Sequence, residues 1–186
     1  MKTKSLVEKT LNPPLQAPPG TSYYIATWTT AVCFIAFVVI LGINEIIRNA
    51  SDNDFGIFLG PFGALITLQY ALMAAPPSQP RNSLFGMITC LVVPMTTKFL
   101  LHHLFEVPQW IVSSFGTSLA IGVMCKAGIV HPPAGATAIV VSMSKNPIET
   151  DLVLAGIMLG ADLVAIVMAM LMNNLSDTRQ YPMYPI

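Results

Sequence analysis

From Tyr23 to Ile43 no residue carries a charge. That run constrains the chain more than any other feature, because roughly 20 consecutive apolar residues span a bilayer core. Three further apolar stretches follow, at about Asn82 to Leu104, Gln109 to Lys126 and Asp151 to Met172. Charged residues make up only 10% of the chain, against about a quarter in an ordinary soluble domain. The sequence therefore reads as an all-α membrane protein with four long transmembrane helices, and its first expected partner is the lipid bilayer. The formal net charge is zero, so no general pull toward nucleic acid is implied. Cys33, Cys90 and Cys125 lie inside apolar runs without a C-x-x-C spacing and read as small hydrophobes.

Residues 1–22 carry Lys2, Lys4 and Lys9 and the prolines Pro13, Pro14, Pro18 and Pro19. This is no signal peptide, because the first apolar run is too long for an h-region and more spans follow it. Nor does an Arg-rich, Ser-rich transit segment precede it. The expected organisation is a cytoplasmic segment 1–22, a transmembrane domain 23–174 and a polar tail 175–186. Alternating crossings put Arg81, Lys126 and Arg179 on the same side as the N-terminal lysines, and only Arg48 and Lys145 on the other. Positive charge favours the cytoplasmic side, so the N-terminus is expected inside.

The prolines carry more information than the long spans. Proline suits the first turn of a helix and disrupts its interior. Pro61 is therefore expected to start a helix through Ala74, about 14 residues and roughly 21 Å long at 1.5 Å per residue. Phe55 to Leu59, just before it, is already apolar, so the chain is expected to enter the membrane non-helically. Pro132-Pro133 is expected to do the same for a second short helix reaching Met143. Neither comfortably spans a core of about 30 Å. Each short segment sits between two long spans, which gives a 3+3 layout in which the second half is inverted. Helix starts expose unpaired N–H groups and a positive dipole end, a ready site for an anion. The layout thus predicts two half-helix N-termini near the midplane facing one small anion, a pattern that marks transporter substrate sites. The candidate lining is Gly60, Phe62, Gly63 and Ala64 from one start, and His131, Ala134, Gly135, Ala136 and Thr137 from the other.

Three segments resemble a known family. His131-Pro132-Pro133-Ala134-Gly135-Ala136-Thr137-Ala138 looks like the signature of the HPP family of integral membrane proteins. Gln79-Pro80-Arg81-Asn82, after Ala75-Pro76-Pro77, resembles its second motif. Gly60-Pro61-Phe62-Gly63-Ala64 resembles its first, although Pro61 replaces another small residue there. The resemblance runs from about Tyr23 to Asn174. Some members are nitrite transporters of cyanobacteria and chloroplasts. The resemblance therefore implies nitrite as substrate and a bacterial inner membrane or plastid envelope as location. The residues alone imply only a small inorganic anion.

Single residues sharpen these expectations. His131 titrates near neutrality and is a candidate for proton coupling. Asp162 lies near the middle of the last span, where an acid is costly and a functional candidate by default. Lys98 is its possible partner, although snorkelling to the outer edge is the favoured reading. Arg81 and Asn82 are expected to line a cytoplasmic vestibule, or else to set topology and cap a helix. Thr137 either lines the site or bonds back to a helix carbonyl. His102, His103 and Glu106 sit at the membrane edge, and adjacent histidines on a helix diverge, so no metal and no cofactor is expected. The stripes Ser114/Ser118/Gly122 and Ala161/Ala165/Ala169 read as close-packing faces. With no nucleophile motif the chain is not read as an enzyme. A structural subunit of a larger membrane complex is the alternative to transport, and a homo-oligomer is compatible with so small a bundle.

Overall fold

The computed structural model describes residues 20–52 and 54–184. The lysines and prolines of the first 19 residues, and with them most of the expected cytoplasmic segment, lie outside those residues. The described residues form six α-helices and no strand. They are α1 (Tyr23–Ala50), α2 (Leu59–Ala71), α3 (Pro80–Thr97), α4 (Gln109–Ala127), α5 (Pro132–Met143) and α6 (Ile148–Asn173), with a 3-10 turn at Pro76–Ser78. The four long apolar spans are Tyr23–Ala50, Pro80–His103, Gln109–Ala127 and Ile148–Asn173. α2 and α5 are the two short helices, of 13 and 12 residues.

Local chemistry sets the ends. Ser22 caps α1 by accepting the Ile25 N–H. Pro80 and Pro132 occupy the first turns of α3 and α5, where a missing N–H is not needed. α4 ends at Gly128, whose φ of 67° reverses the chain and lets the Gly128 and Ile129 amides bond the Cys125 and Met124 carbonyls. α2 starts two residues before the expected Pro61 and stops at Ala71 rather than Ala74, where the chain turns toward Pro76–Ser78.

α3 contains Pro94 and relaxes after Thr97 into a π-turn over Lys98–His103. The Thr97 hydroxyl takes up the Val93 and Pro94 carbonyls. α4 packs tightly here: a Cβ placed on Gly116 would lie 2.2 Å from Thr97 Oγ1 and 3.3 Å from Pro94 Cα.

Cross-bundle bonds fix the order of levels. Near one end, Thr29 of α1 meets Arg179, and Ser83 of α3 meets His131 at the head of α5. Toward the other end, Asn44 of α1 meets Ile57, and Lys98 meets Ser144 and Asp151. Successive helices therefore alternate in direction. Arg81 and Arg179 fall at the first end and Arg48 and Lys145 at the second, the division read from the charges.

The core is made by Phe62, Leu65 and Ile66 of α2, Met87, Cys90 and Leu91 of α3, Ala134 and Ala138 of α5, and Met158, Ala161, Ala165 and Ala169 of α6. The alanine stripe of α6 is buried, as a close-packing face requires. In the other stripe, Ser114, Ser118 and Gly122 of α4 are exposed, while Ser113, Gly116, Thr117 and Ala120 face inward.

Candidate functional site

Ser83, His131 and Asp162 meet in the interior, all with 0% exposure. Three elements deliver them: the first turn of α3, the residue before α5 and the middle of α6. Ser83 Oγ lies 2.7 Å from Asp162 Oδ1 and 3.3 Å from His131 Nε2. His131 Nδ1 lies 2.7 Å from the Pro77 carbonyl. A carbonyl only accepts, so Nδ1 carries a hydrogen. Two arrangements then satisfy every contact. In one, an imidazolium donates from Nε2 to Ser83, which donates to an Asp162 carboxylate. In the other, a protonated Asp162 donates to Ser83, which donates to a neutral imidazole at Nε2. Both are neutral overall and differ only in where the proton rests. An anionic third state would bury an uncompensated carboxylate, which costs on the order of 3 kcal/mol at a bilayer centre. Asp162 Oδ2 has no hydrogen-bond partner among the described residues.

Gly86 makes this arrangement possible. A Cβ there would stand 2.7 Å from His131 Cβ and 3.2 Å from the Ile129 carbonyl. Asn82 Nδ2 donates to the Val130 carbonyl at 3.1 Å and Arg81 to the Gly128 carbonyl at 3.4 Å. Asn82 therefore latches α3 to the strand of chain before α5 instead of capping α3. Both residues also line an open cleft of about 310 Å³ with Pro76, Gln79, Gly128 and Tyr184.

The two half-helix starts do not converge. α2 begins on a second cleft, about 670 Å³, lined by Asn44, Arg48 and Asp54 to Leu59 and by Ile139, Val140 and Met143 of α5 with Ser144 just after it. His131 lies eight residues before Ile139 in sequence, about 12 Å along a helix at 1.5 Å per residue. The start of α2 thus faces the far end of α5. Nor does α5 offer free donors. Pro132 and Pro133 have no N–H, and the Ala134 and Gly135 amides both bond the His131 carbonyl, at 3.1 and 3.4 Å. The convergence of two helix starts expected from the sequence is therefore corrected; among the described residues no hydrogen bond is made by the Leu59 and Gly60 amides of α2.

The other expected lining residues separate accordingly. Gly60 and Ala64 are exposed and Gly63 is half-buried, while Phe62 is in the core. Ala134 and Thr137 are buried, Gly135 is half-buried and Ala136 is exposed. Thr137 bonds back to the Pro133 carbonyl at 3.2 Å, the local alternative to lining a site. A Cβ on Gly60, Gly63 or Gly135 would meet nothing within 4 Å.

Lys98 does not snorkel. It is 2% exposed, and its three N–H donors reach Asp151 Oδ2 at 2.6 Å, Ser144 Oγ at 2.8 Å and the Asn146 carbonyl at 3.3 Å. The reason is register: Lys98 continues the buried face of α3 that runs through Met87, Cys90, Leu91, Pro94 and Met95. Its partner is Asp151, not Asp162. Ser144 also donates to Asp151 Oδ1 at 2.6 Å, and the Gln109 amide bonds the Ser144 carbonyl at 2.6 Å. Four elements are joined there.

A family model described as the HPP transmembrane region matches residues 18–182 of this chain. The chain belongs to the HPP transmembrane family. Its HPP tripeptide is the segment that carries His131 into the buried cluster. Two transmembrane proteins of Dictyostelium discoideum are similar to it. One is 28% identical over 162 residues, covering 84% of this chain and 54% of the relative. The second is 25% identical over 158 residues, covering 84% and 50%. This HPP chain therefore spans about half the length of those relatives. No solved structure matches it.

Sequence reasoning missed Ser83, Gly86 and Asp151. Ser83, Gly86, Met87, Cys90 and Pro94 follow one helical face, and that periodicity was the available signal.

Proposed function

We propose that this HPP protein moves a small monovalent anion across the bilayer together with a proton, with nitrite as the first substrate to test. One observation carries the transport reading. Phe55 to Phe58 is non-helical backbone, yet the Phe58 amide lies 3.3 Å from Met158 Sδ, in the eleventh residue of α6. Non-helical backbone at membrane depth is tolerated where it lines a cavity or is buried in protein. Here it lines the larger cleft.

Anion selectivity is supported by the same cleft, whose lining includes Arg48 and Leu59, the first residue of α2, with Asp54 also in the lining. The resemblance to nitrite-transporting members supports nitrite in particular. Proton coupling is supported by the Ser83–His131–Asp162 contacts, which hold one transferable proton between two groups without changing net charge. The charge division supports a cytoplasmic location for the Arg81 and Arg179 end.

Uptake into proteoliposomes tests the reading. Saturable nitrite entry, above that of protein-free vesicles and slowed by competing anions, is expected. Entry equal to that of empty vesicles would overturn it.

A further inference from the structure

The segment after α6 folds back over the turn that holds His131. Asn174 and Tyr181 bond each other twice, through the Tyr181 N–H at 3.0 Å and the Tyr181 carbonyl at 2.6 Å. This fixes a loop that presents Tyr181, 1% exposed, to the Ser78 carbonyl, which accepts its hydroxyl. Gln79 Oε1 then accepts the Met183 and Tyr184 amides at 2.8 and 3.3 Å, while its Nε2 donates to the Met73 carbonyl at 2.7 Å. Arg179 donates to the Tyr70 carbonyl at the end of α2 and, at 3.2 Å, to the Thr29 hydroxyl of α1.

Two features make this more than packing. First, the gripped turn carries the Pro77 carbonyl that fixes the His131 tautomer, and Ser78 is its neighbour. Second, the segment grows out of α6 but holds only α1, α2 and the turn before α3. It therefore ties the end of α6 to α1, α2 and that turn. Any movement of that end away from them must break these bonds. Nothing ionic strengthens them: among the described residues Lys98–Asp151 is the one salt bridge, so Arg179 holds neutral acceptors alone. Burial pushes the Tyr181 hydroxyl up from its ordinary value, so it remains a donor across the neutral range.

We propose that Arg179–Tyr184 is a strap that locks the His131 end of the bundle closed, and that its release is a step of the transport cycle. The flux part of this inference rests on the transport reading, whereas the locking part does not.

The test uses the full chain in nanodiscs and proteoliposomes, as the parent, Tyr181→Phe and the double variant Arg179→Ala/Tyr181→Phe. The Ser78 and Gln79 amides, bonded to the Ala75 and Pro76 carbonyls at 2.9 and 3.2 Å, report on the turn by hydrogen exchange. Their exchange is expected to quicken about tenfold in the double variant, with residues 144–151 unchanged, since local opening governs exchange. Nitrite uptake should rise at least about twofold if opening limits turnover. Unchanged exchange overturns the strap, and faster exchange with unchanged parental uptake overturns its place in the cycle. If exchange quickens while neither parent nor variant carries anion, the strap stands and the transport reading falls. Should the double variant fail to insert, Tyr181→Phe, which removes one hydroxyl, decides by the same exchange readout.

Discussion

Ser83 stands between Asp162 and His131, its hydroxyl 2.7 Å from the carboxyl and 3.3 Å from the imidazole. The order matters. In a nucleophile triad the imidazole is the middle member and takes the hydroxyl proton. Here the hydroxyl is the middle member, and the Pro77 carbonyl occupies the second imidazole nitrogen. The arrangement suits passing a proton between acid and imidazole.

Ser83→Ala removes that link and leaves both buried groups facing a methyl. Stability should fall by about 1–3 kcal/mol, the cost of leaving buried groups unsatisfied. Proton-coupled uptake should fall more than about tenfold, which corresponds to about 1.4 kcal/mol on the barrier. Thermal unfolding in detergent and uptake measured on the same preparation separate the two effects. Parental uptake by a folded Ser83→Ala protein would remove Ser83 from the route.

Gly86 and Gly135 should respond oppositely to the same change. Gly86→Ala puts a methyl 2.7 Å from His131 Cβ and should destabilise by about 1–3 kcal/mol, as overpacking does. Gly135→Ala meets nothing within 4 Å and lies inside α5, so it should stabilise by up to about 1 kcal/mol through helix propensity. Melting curves of the two variants check the contrast.

The buried pair Lys98–Asp151 calls for a double-mutant cycle. Lys98→Met strands Asp151, 1% exposed, and should cost about 3–5 kcal/mol. Adding Asp151→Leu should recover most of that loss, because an apolar pair of similar size often replaces a buried ion pair without penalty. Unfolding free energies of the four proteins give the coupling directly. A loss in the double variant equal to the sum of the two single losses would show that the pair is not a unit.

The contrast between what the sequence revealed and what it hid has physical causes. Spans were legible because an uncharged run such as Tyr23 to Ile43 has one stable solution in lipid. The two short helices were legible because Pro132 and Pro61 announce a first turn, although α2 begins at Leu59, ahead of its proline. His131 and Asp162 stood out as costly residues in apolar surroundings. Their mutual contact did not, because it depends on Ser83, a common residue, and on Gly86, whose role is to have no side chain. Lys98 was misjudged for a related reason. Distance from the span's end suggests snorkelling, whereas Lys98 sits on the buried face of α3 and meets Asp151, a partner that sequence order does not reveal. The supposed convergence of two helix starts failed because sequence gives the order of segments and not their depth.

Simultaneous recording of nitrite entry and of pH in proteoliposomes probes the account at its centre. Nitrite added outside vesicles containing the parent protein should enter with protons, alkalinising the medium, and an imposed acidic exterior should speed entry beyond that into protein-free vesicles. Asp162→Asn should remove the dependence on the proton gradient. Protein-dependent nitrite entry at one rate whatever the gradient, with Asp162→Asn behaving as the parent, would contradict the account.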